Sequence, residues 1–283
     1  MQKTISPLRY PGGKIRFLNF FNDILNLNQL QEATYIEPFA GGASLALALL
    51  HTGSVSKIYL NDIDYAIYAF WKSILTECNR FVDLVYRTPI NISEWQRQWM
   101  IYNGNRKDRF LLGFATFFLN RTNYSGILNG RMIGGYHQSG TWRLDARFNR
   151  DSLALRILTL QQLRSRIVLS CEDAQSFLLK RRFGSKSLTY LDPPYFNQAR
   201  RLYLNYYEAD DHQRISLRAK AMKTPWIISY DNVPEIKAHY TGIRRRRLKL
   251  LHTAGKVKIG TEVMFFSPNI EIPTHMGGMN GRT

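Results

Sequence analysis

The sequence predicts an α/β protein built on a mainly parallel sheet, with an inserted helical unit. Short apolar runs alternate with longer segments of helical periodicity, which is the pattern of strands separated by helices. The length of 283 residues suffices for one large domain or for a core with an insertion. Apolar residues make up 45% and charged residues 21%, which excludes a disordered, collagen-like or disulfide-scaffold protein.

Seven short apolar runs bounded by turn-forming residues are expected to be strands. In chain order they are Thr34–Glu37, Lys57–Leu60, Arg166–Ser170, Ser187–Leu191, Pro225–Ser229, Arg245–Leu251 and Glu262–Ser267. Helical periodicity marks the segments Ile15–Leu27, Ser44–Leu50, Ala66–Glu77, Asp173–Lys180 and His212–Met222.

The alternation is interrupted between Asn79 and Arg164. This stretch is typical of helices, including Phe110–Leu119, followed by a glycine-rich segment of hairpin type, GILNGRMIGGYHQSGTW. We therefore predict a core of residues 1–78 and 165–272, an insertion of residues 79–164 and a disordered tail of residues 273–283.

The charge balance is far from neutral. The chain has 39 Lys and Arg against 21 Asp and Glu, a net charge of +18, which favours nucleic acid or an acidic membrane surface as partner. Residues 97–166 hold twelve basic and three acidic side chains, a net +9, with Tyr124, Tyr136 and Trp142 interspersed. This composition favours a nucleic-acid surface over a merely solvated face.

The spacing of cysteines and histidines and the length of the apolar runs argue against several classes of site and location. Cys78 and Cys171 lie far apart without a CxxC spacing, which argues against disulfides and a zinc cluster and fits a reducing cytosol. The six histidines show no metal-ligand spacing, so we expect no metal. No run of 18 apolar residues occurs, and the start lacks the apolar core of a secretory signal, so no membrane association is expected.

The first motif that suggests chemistry is TYIEPFAGGASLALALL, residues 34–50. A predicted strand ends at Glu37, and the turn with Gly41 and Gly42 leads into a helix, as in proteins that bind nucleotide-like ligands over a parallel sheet. The next strand ends before Asp62, whose carboxylate can accept both hydroxyls of a ribose. An NAD site is less favoured because a full GxGxxG is missing.

The second motif is LTYLDPPYF, residues 188–196. Asp192 follows a strand, and Pro193 and Pro194 stiffen the backbone and remove two N–H donors. The Asp192 carboxylate and the Pro193 carbonyl are then two acceptors beside the ring of Tyr195. This set suits the exocyclic amino group of a planar base, whereas the alternative is a rigid loop with an incidental aromatic residue.

A third motif is SPLRYPGGK, residues 6–14. The order YPGGK, EPFAGGAS, ND, a basic insertion and DPPY resembles the Dam-like adenine-specific DNA methyltransferases over nearly the whole chain. The resemblance implies a Rossmann-like core dependent on S-adenosylmethionine (SAM). It also implies a mostly helical target-recognition domain with a β-hairpin, inserted before the DPPY strand, and double-stranded DNA as substrate.

The resemblance also assigns roles to residues. SAM would be bound by the motif residues Tyr10, Lys14, Glu37, Pro38, Phe39, Gly41, Gly42, Asp62, Asp173 and Asp192, with Asp62 on the ribose and Asp173 on the adenine. The target base, flipped out of the duplex, would be held by the catalytic loop of Asp192, Pro193, Pro194 and Tyr195. DNA would be contacted by Arg9, Arg121, Asn123, Tyr124, Ser125 and Arg131. Of these, Asn123 is suited to adenine edges, Tyr124 to stacking and the two insertion arginines to phosphate or guanine.

Two departures from the family pattern stand out. Ala43 replaces a further glycine of the turn, and an NVPFG-like stretch is missing, so a GATC specificity does not carry over. Methylation of a cytosine ring carbon is disfavoured, because neither cysteine follows a proline. Methylation of RNA or of the cytosine amino group stays open, as does a catalytically inactive DNA-binding homologue. The setting would be the cytoplasm of a prokaryotic or phage-infected cell, with a cognate restriction endonuclease as a further partner.

Overall fold

The structure is a computed structural model that describes residues 5–10, 13–104, 106–196, 207–252 and 258–274. The expected disordered tail lies outside the described residues from position 275 onward.

The described chain forms a seven-stranded sheet in the order β3-β2-β1-β4-β5-β7-β6. Its strands are β1 (Ala33–Glu37), β2 (Val55–Asn61), β3 (Ile167–Ser170), β4 (Ser187–Leu191), β5 (Trp226–Asp231), β6 (Arg245–His252) and β7 (Lys258–Phe266). Strands β1 to β5 are parallel, whereas β7 is antiparallel to both β5 and β6. The predicted α/β class, the mainly parallel sheet and all seven strands are confirmed.

The six helices whose bounds were predicted agree with the structure to within three residues at their ends, and four further helices are present among the described residues. They are α1 (Leu18–Leu27), α2 (Ser44–His51), α3 (Tyr65–Thr76), α4 (Cys78–Arg87), α5 (Ile92–Asn103), α6 (Arg109–Thr122), α7 (Arg150–Gln162), α8 (Ala174–Lys180), α9 (Ala209–Lys220) and α10 (Pro234–His239). None of the described helices is long and apolar enough to cross a membrane.

Strand β1 is the point at which the strand order reverses. The sheet continues from it to β2 and β3 on one side and to β4 and β5 on the other. In open α/β sheets, ligands bind in the crevice at the carboxyl ends of the strands beside such a point. Ile36 of β1 pairs with Thr189 of β4, so the residues that follow both strands lie at the same edge.

Alternate residues of these strands bury opposite faces of the sheet. Tyr35 packs edge-on against Phe21 of α1, with ring centroids 6.1 Å apart. Its neighbour Ile36 joins the apolar cluster on the other face, with Phe177 of α8 and Ile215 of α9. Because successive strand residues point to opposite faces, helices cover both sides of the sheet.

The chain divides into two compact units. The core unit comprises Lys14–Ile63 and Arg166–Thr283, and the inserted unit comprises Met1–Gly13 and Asp64–Ser165. The inserted unit thus begins earlier than the predicted insertion of residues 79–164 and includes the N-terminal segment. Helix α3 belongs to it because α3 and α6 approach closely: a Cβ on Gly113 would lie 2.6 Å from the Ala69 carbonyl oxygen.

The inserted unit contains helices α3 to α7; helices were predicted for residues 79–164, whereas α3 was assigned to the core. An aromatic cluster fills its interior, in which Phe81 contacts Phe70, Phe114 and Phe117 at centroid distances between 5.3 and 5.9 Å. Helices α5 and α6 begin at side-chain caps, since Asn91 and Asp108 accept backbone N–H groups of the first turn.

The predicted hairpin is reduced, in the described residues, to one isolated antiparallel bridge between Asn123 and Met132. Turns follow it, and a side chain replaces the missing ladder: Gln138 donates to the carbonyls of Ile133 and Gly135 and accepts from the backbone N–H of Leu144. The glycine-rich sequence favours such turns over extended strands.

Candidate active site

Asn61, the last residue of β2, ties three strand ends together and is 1% exposed. Its Nδ2 donates to the carbonyls of Pro38, at 3.0 Å, and Glu172, at 2.9 Å. Its Oδ1 accepts from the Ser170 hydroxyl at 2.9 Å and from the Glu172 backbone N–H at 3.1 Å. All its hydrogen-bonding positions are used, so the segments after β1, β2 and β3 are held together.

The glycine turn after β1 is bound by Asp62. Its Oδ2 accepts the backbone N–H of Gly41 at 2.8 Å. Gly41 has φ 46° and Ala43 has φ 47°, both in the left-handed region. This conformation suits glycine, whereas an alanine side chain there costs about 1 kcal/mol, which is a physical reason for a glycine at position 43.

Glu37 ends β1 with its side chain buried. Burial raises the pKa of Glu37 to about 8, and Asp192 adds to the shift. The nearby Tyr35 side chain and Ala46 backbone oppose it. Glu37 is therefore largely protonated at neutral pH, and its carboxyl group can donate a hydrogen bond.

Asp173 follows β3, and its Oδ1 caps α8 by accepting the N–H of Ser176 at 3.0 Å. Tyr207 lies near the predicted cofactor residues: its ring meets Phe39 edge-on at 5.7 Å. Burial raises the pKa of Tyr207, and the charges of Asp173 and Asp62 add to this shift. Sequence reasoning missed Tyr207, since no motif includes it.

Asp192 directly follows β4. Its Oδ1 accepts from the Ser229 hydroxyl at 2.6 Å and contacts Lys14 Nζ at 3.3 Å. Both contacts use the same oxygen, and no described residue donates to Oδ2. Burial raises the pKa of Asp192, whereas Lys14 lowers it and Glu262 raises it further.

Lys14 is shared by three groups of the site. Its side chain is 6% exposed, and Nζ lies 3.2 Å from Glu262 Oε2 as well as 3.3 Å from Asp192 Oδ1. It also donates to the Tyr195 hydroxyl and lies 5.0 Å from the centre of that ring. Burial and the charges of Asp192 and Glu262 raise the pKa of Tyr195, so the phenol is neutral.

The structure brings together, within the core unit, the predicted residues Lys14, Asp192 and Tyr195. Sequence reasoning missed Glu262 and Ser229 as their partners, although an acid within the apolar run TEVMFF was a signal. Tyr10 belongs to the inserted unit. Among the described residues, no group of three or more His, Cys, Asp or Glu side chains could hold a metal ion.

The family described as D12 class N6 adenine-specific DNA methyltransferase matches residues 10–257. The chain belongs to this family. The resemblance drawn from the motifs is thereby confirmed: this enzyme transfers a methyl group to the N6 amino group of adenine in DNA. Membership implies SAM as the methyl donor.

Individual relatives are more distant. The chain is 23% identical to the Type II methyltransferase M.MjaIII of Methanocaldococcus jannaschii over 203 residues, which is 66% of this chain and 68% of that protein. Among solved structures, it is similar to a putative RNA methyltransferase, PH1948, of Pyrococcus horikoshii, with a TM-score of 0.44 and 10% identity over 93% of this chain and 92% of that one. It is also similar to the rRNA methyltransferase aviRa of Streptomyces viridochromogenes, with a TM-score of 0.43 and 13% identity over 91% and 86% of the two chains.

In this D12 methyltransferase, the backbone of the predicted DNA residue Arg9 is bound by a side chain of α6. Asn120 accepts its N–H and donates to its carbonyl, both at 2.7 Å. A Cβ on Gly126 would lie 2.3 Å from the same carbonyl oxygen, and Gly126 has φ 76°, so only glycine fits there.

Asn123, expected to read adenine edges, is 0% exposed. Its Oδ1 accepts from Trp95 Nε1 at 2.7 Å, and its Nδ2 donates to the carbonyls of Ile127 and Leu128. The side chain thus shapes the turn, and contact with a base would require this network to open. The sequence suggested that the Asn123 side chain is available to a base, because the backbone groups that it binds cannot be recognised in the sequence.

Tyr124, Ser125 and Arg131 do lie at the surface of this turn. Tyr124 is 52% exposed, and the Arg131 guanidinium lies 5.8 Å from the centre of its ring. Ser125 is half-buried and has φ 55°, so its backbone, like that of Gly126, forms a tight turn.

Arg121 is anchored rather than free to reach a base. It donates to the carbonyls of Arg147 and Pro7. Burial lowers the pKa of Arg121 to about 9, and the charges of Arg9, Arg156 and Arg147 lower it further. In the part of the chain that the structure describes, no acidic side chain forms an ion pair with any of these four arginines. We call Arg9, Arg121, Arg147 and Arg156 the arginine cluster.

Proposed function

We propose that this enzyme methylates adenine at a specific site in duplex DNA, with the target base bound by Asp192, Pro193, Pro194 and Tyr195. The observation that carries the proposal is the geometry of Asp192. Ser229 and Lys14 both bind Oδ1, which leaves Oδ2 for an N–H of the base. The Pro193 carbonyl would accept the second N–H.

The chemistry follows from these acceptors. The amino nitrogen of adenine is a poor nucleophile because its lone pair is delocalised into the ring. Two acceptors draw its hydrogens out of conjugation and stabilise the positive charge that develops on nitrogen during attack. Because the pKa of Asp192 is raised, its Oδ2 accepts a proton more readily than an exposed aspartate does. SAM supplies an activated methyl group, so alignment matters more than acid–base strength.

The residues at the carboxyl ends of β1, β2 and β3 fit the methyl donor. Carboxylates at Asp62 and Asp173 are acceptors suited to ribose hydroxyls and an adenine amino group. The turn from Glu37 to Gly42 would line the pocket. Lys14 is engaged with Asp192, Tyr195 and Glu262, and we assign it first to the shape of the catalytic loop.

The arginine cluster supports DNA binding by the inserted unit. Burial and neighbouring guanidinium groups lower the pKa of Arg121 and of Arg9, and no acidic side chain among the described residues pairs with the cluster, so DNA phosphates would stabilise its charges. Tyr136 and Trp142 are 63% and 60% exposed and offer stacking surfaces. Flipping the base costs a few kcal/mol, and stacking on Tyr195 can return about 1–3 kcal/mol.

Two features of the setting belong to the proposal. We propose that the enzyme acts in the cytoplasm of a prokaryotic or phage-infected cell, where its DNA substrate would lie. A cognate restriction endonuclease is proposed as a partner, because the similar archaeal protein is called a Type II methyltransferase.

Tritium transfer from labelled SAM tests the proposal. Unmethylated duplex DNA and double-stranded RNA of the same sequence would be compared, followed by mass spectrometry of the nucleosides. We expect N6-methyldeoxyadenosine from the DNA. Methylated RNA or N4-methylcytosine as the main product would overturn the proposal.

A further inference from the structure

Glu262 is a buried acid that no motif of the sequence explains. It lies on β7, where it pairs with Asp231 of β5 and Leu248 of β6, and its side chain is 1% exposed. A buried carboxylate is strongly destabilising unless a cation and hydrogen bonds compensate it. The cation here is Lys14, whose Nζ lies 3.2 Å from Oε2 and 3.5 Å from Oε1.

The same ammonium group also contacts the catalytic loop. Lys14 Nζ lies 3.3 Å from Asp192 Oδ1 and donates to the Tyr195 hydroxyl. One cation is therefore divided between two carboxylates, one on β7 and one after β4. Lysine has a flexible four-carbon side chain, so a single contact would not fix its position.

We propose that Glu262 is a positioning residue for methyl transfer, holding Lys14 so that Asp192 keeps one carboxylate oxygen for the target base. The inference rests on the role proposed above for Asp192. Glu262 lies on β7 and binds Lys14 Nζ there, which limits how closely the ammonium group approaches Asp192. Without Glu262, Lys14 would pair with Asp192 alone, and the carboxylate would accept less strongly from the base.

A double-mutant cycle tests whether Glu262 acts through Lys14. The variants are Glu262→Gln, which keeps the shape and removes the charge, Lys14→Met, and the two combined. The single-turnover rate of methyl transfer is measured at saturating duplex, and the SAM dissociation constant is measured by calorimetry. We expect Glu262→Gln to lower the rate about 10- to 100-fold, as for other displaced catalytic groups, with SAM affinity changed less than about threefold. In the Lys14→Met background, the same change should alter the rate less than about threefold, because interacting residues are not additive.

Two further variants guard against a merely structural effect. Glu94→Gln is the matched control, because Glu94 is also a buried acid that binds an arginine, Arg97, and lies in the inserted unit. It should leave the rate unchanged. Glu262→Asp keeps the charge but shortens the reach, and we expect an intermediate rate; this variant decides the question if Glu262→Gln does not fold.

Independent, additive losses in the two single variants would overturn the inference, as would a parent-like rate in Glu262→Gln or Glu262→Asp. A loss of SAM affinity as large as the loss of rate would overturn it too. These outcomes differ from a failure of the proposed function, in which the parent itself would not methylate DNA.

Discussion

The two units of the molecule arrange their charges in opposite ways. In the core unit, the carboxylates of Asp192 and Glu262 share the ammonium group of Lys14. In the inserted unit, no acidic side chain among the described residues forms an ion pair with the arginine cluster, and neighbouring arginines add to the effect of burial in lowering the pKa of Arg121 and of Arg9. The core site therefore offers carboxylate oxygens, which suit a neutral hydrogen-bond donor. The charges of the arginine cluster would be paired by the phosphates of the DNA that we propose binds there.

The largest effect is expected at the catalytic loop. Asp192→Ala should lower the single-turnover rate at least about 100-fold, as does removal of other groups that stabilise a transition-state charge. SAM and duplex affinities should stay within a few-fold of the parent, since the contacts of the inserted unit are untouched. Asp192→Asn, which keeps one acceptor oxygen, should retain more of the rate. Near-normal turnover in Asp192→Ala would contradict the mechanism.

The buried carboxyl group of Glu37 makes stability depend on pH. Its pKa is about 8 in the folded chain against an ordinary 4.5, so the fold favours the protonated form. This stabilisation is fully present below pH 4.5 and is lost as the pH rises through 8, by up to about 1.4 kcal/mol per pH unit. Urea unfolding at several pH values should show a flatter dependence in Glu37→Gln. An identical dependence in both proteins would contradict the assignment.

Asp62→Ala sharpens the distinction between cofactor binding and DNA binding. Loss of a charged acceptor should weaken SAM binding by about 1.5–3 kcal/mol without changing duplex affinity. Asp62→Asn is the control, because its amide oxygen can still accept the Gly41 N–H. Calorimetry measures the SAM affinity, and an unchanged value in Asp62→Ala would refute the ribose role.

Arg147→Ala tests whether the arginine cluster of the inserted unit binds phosphates. The carbonyl that binds Arg121 belongs to the backbone and is kept, so the change removes only a guanidinium that lies 5.1 Å from the Trp142 ring. Affinity should fall equally for all duplex sequences, and the salt dependence should flatten by about one ion. Arg87→Ala, which removes an arginine already paired with Asp83, should change neither. Binding titrations at several salt concentrations would show equal slopes if the cluster does not bind phosphates.

The smallest effect is expected at the glycine turn. Ala43→Gly should stabilise the core unit by up to about 1 kcal/mol, because the left-handed conformation is unstrained for glycine. Leu45→Gly in the following helix is the opposite control and should destabilise. Thermal unfolding measures both, and a lower midpoint for Ala43→Gly would show that the turn depends on the alanine methyl group.

The sheet could be predicted because each strand is a local apolar run with turn residues at its ends. The positions of Asp62, Asp173 and Asp192 after strands followed from the same reasoning. The contacts of Lys14 could not be predicted, because they join residues 14, 192 and 262. Asn123 and Arg121 were predicted to contact DNA from the family resemblance and from residue type. Their backbone partners appear only in the folded chain, as does the replacement of the hairpin by turns.

The hydrogen bonds of Asn61 determine how the ends of β1, β2 and β3 can open. One amide group joins the ends of three strands, so these segments cannot loosen one at a time without leaving a buried polar group unsatisfied. The backbone amides of Ala40, which donates to the Asn61 carbonyl, and Glu172 should therefore exchange with solvent deuterium at one common rate. We therefore expect the ends of these three strands to open as a single cooperative unit.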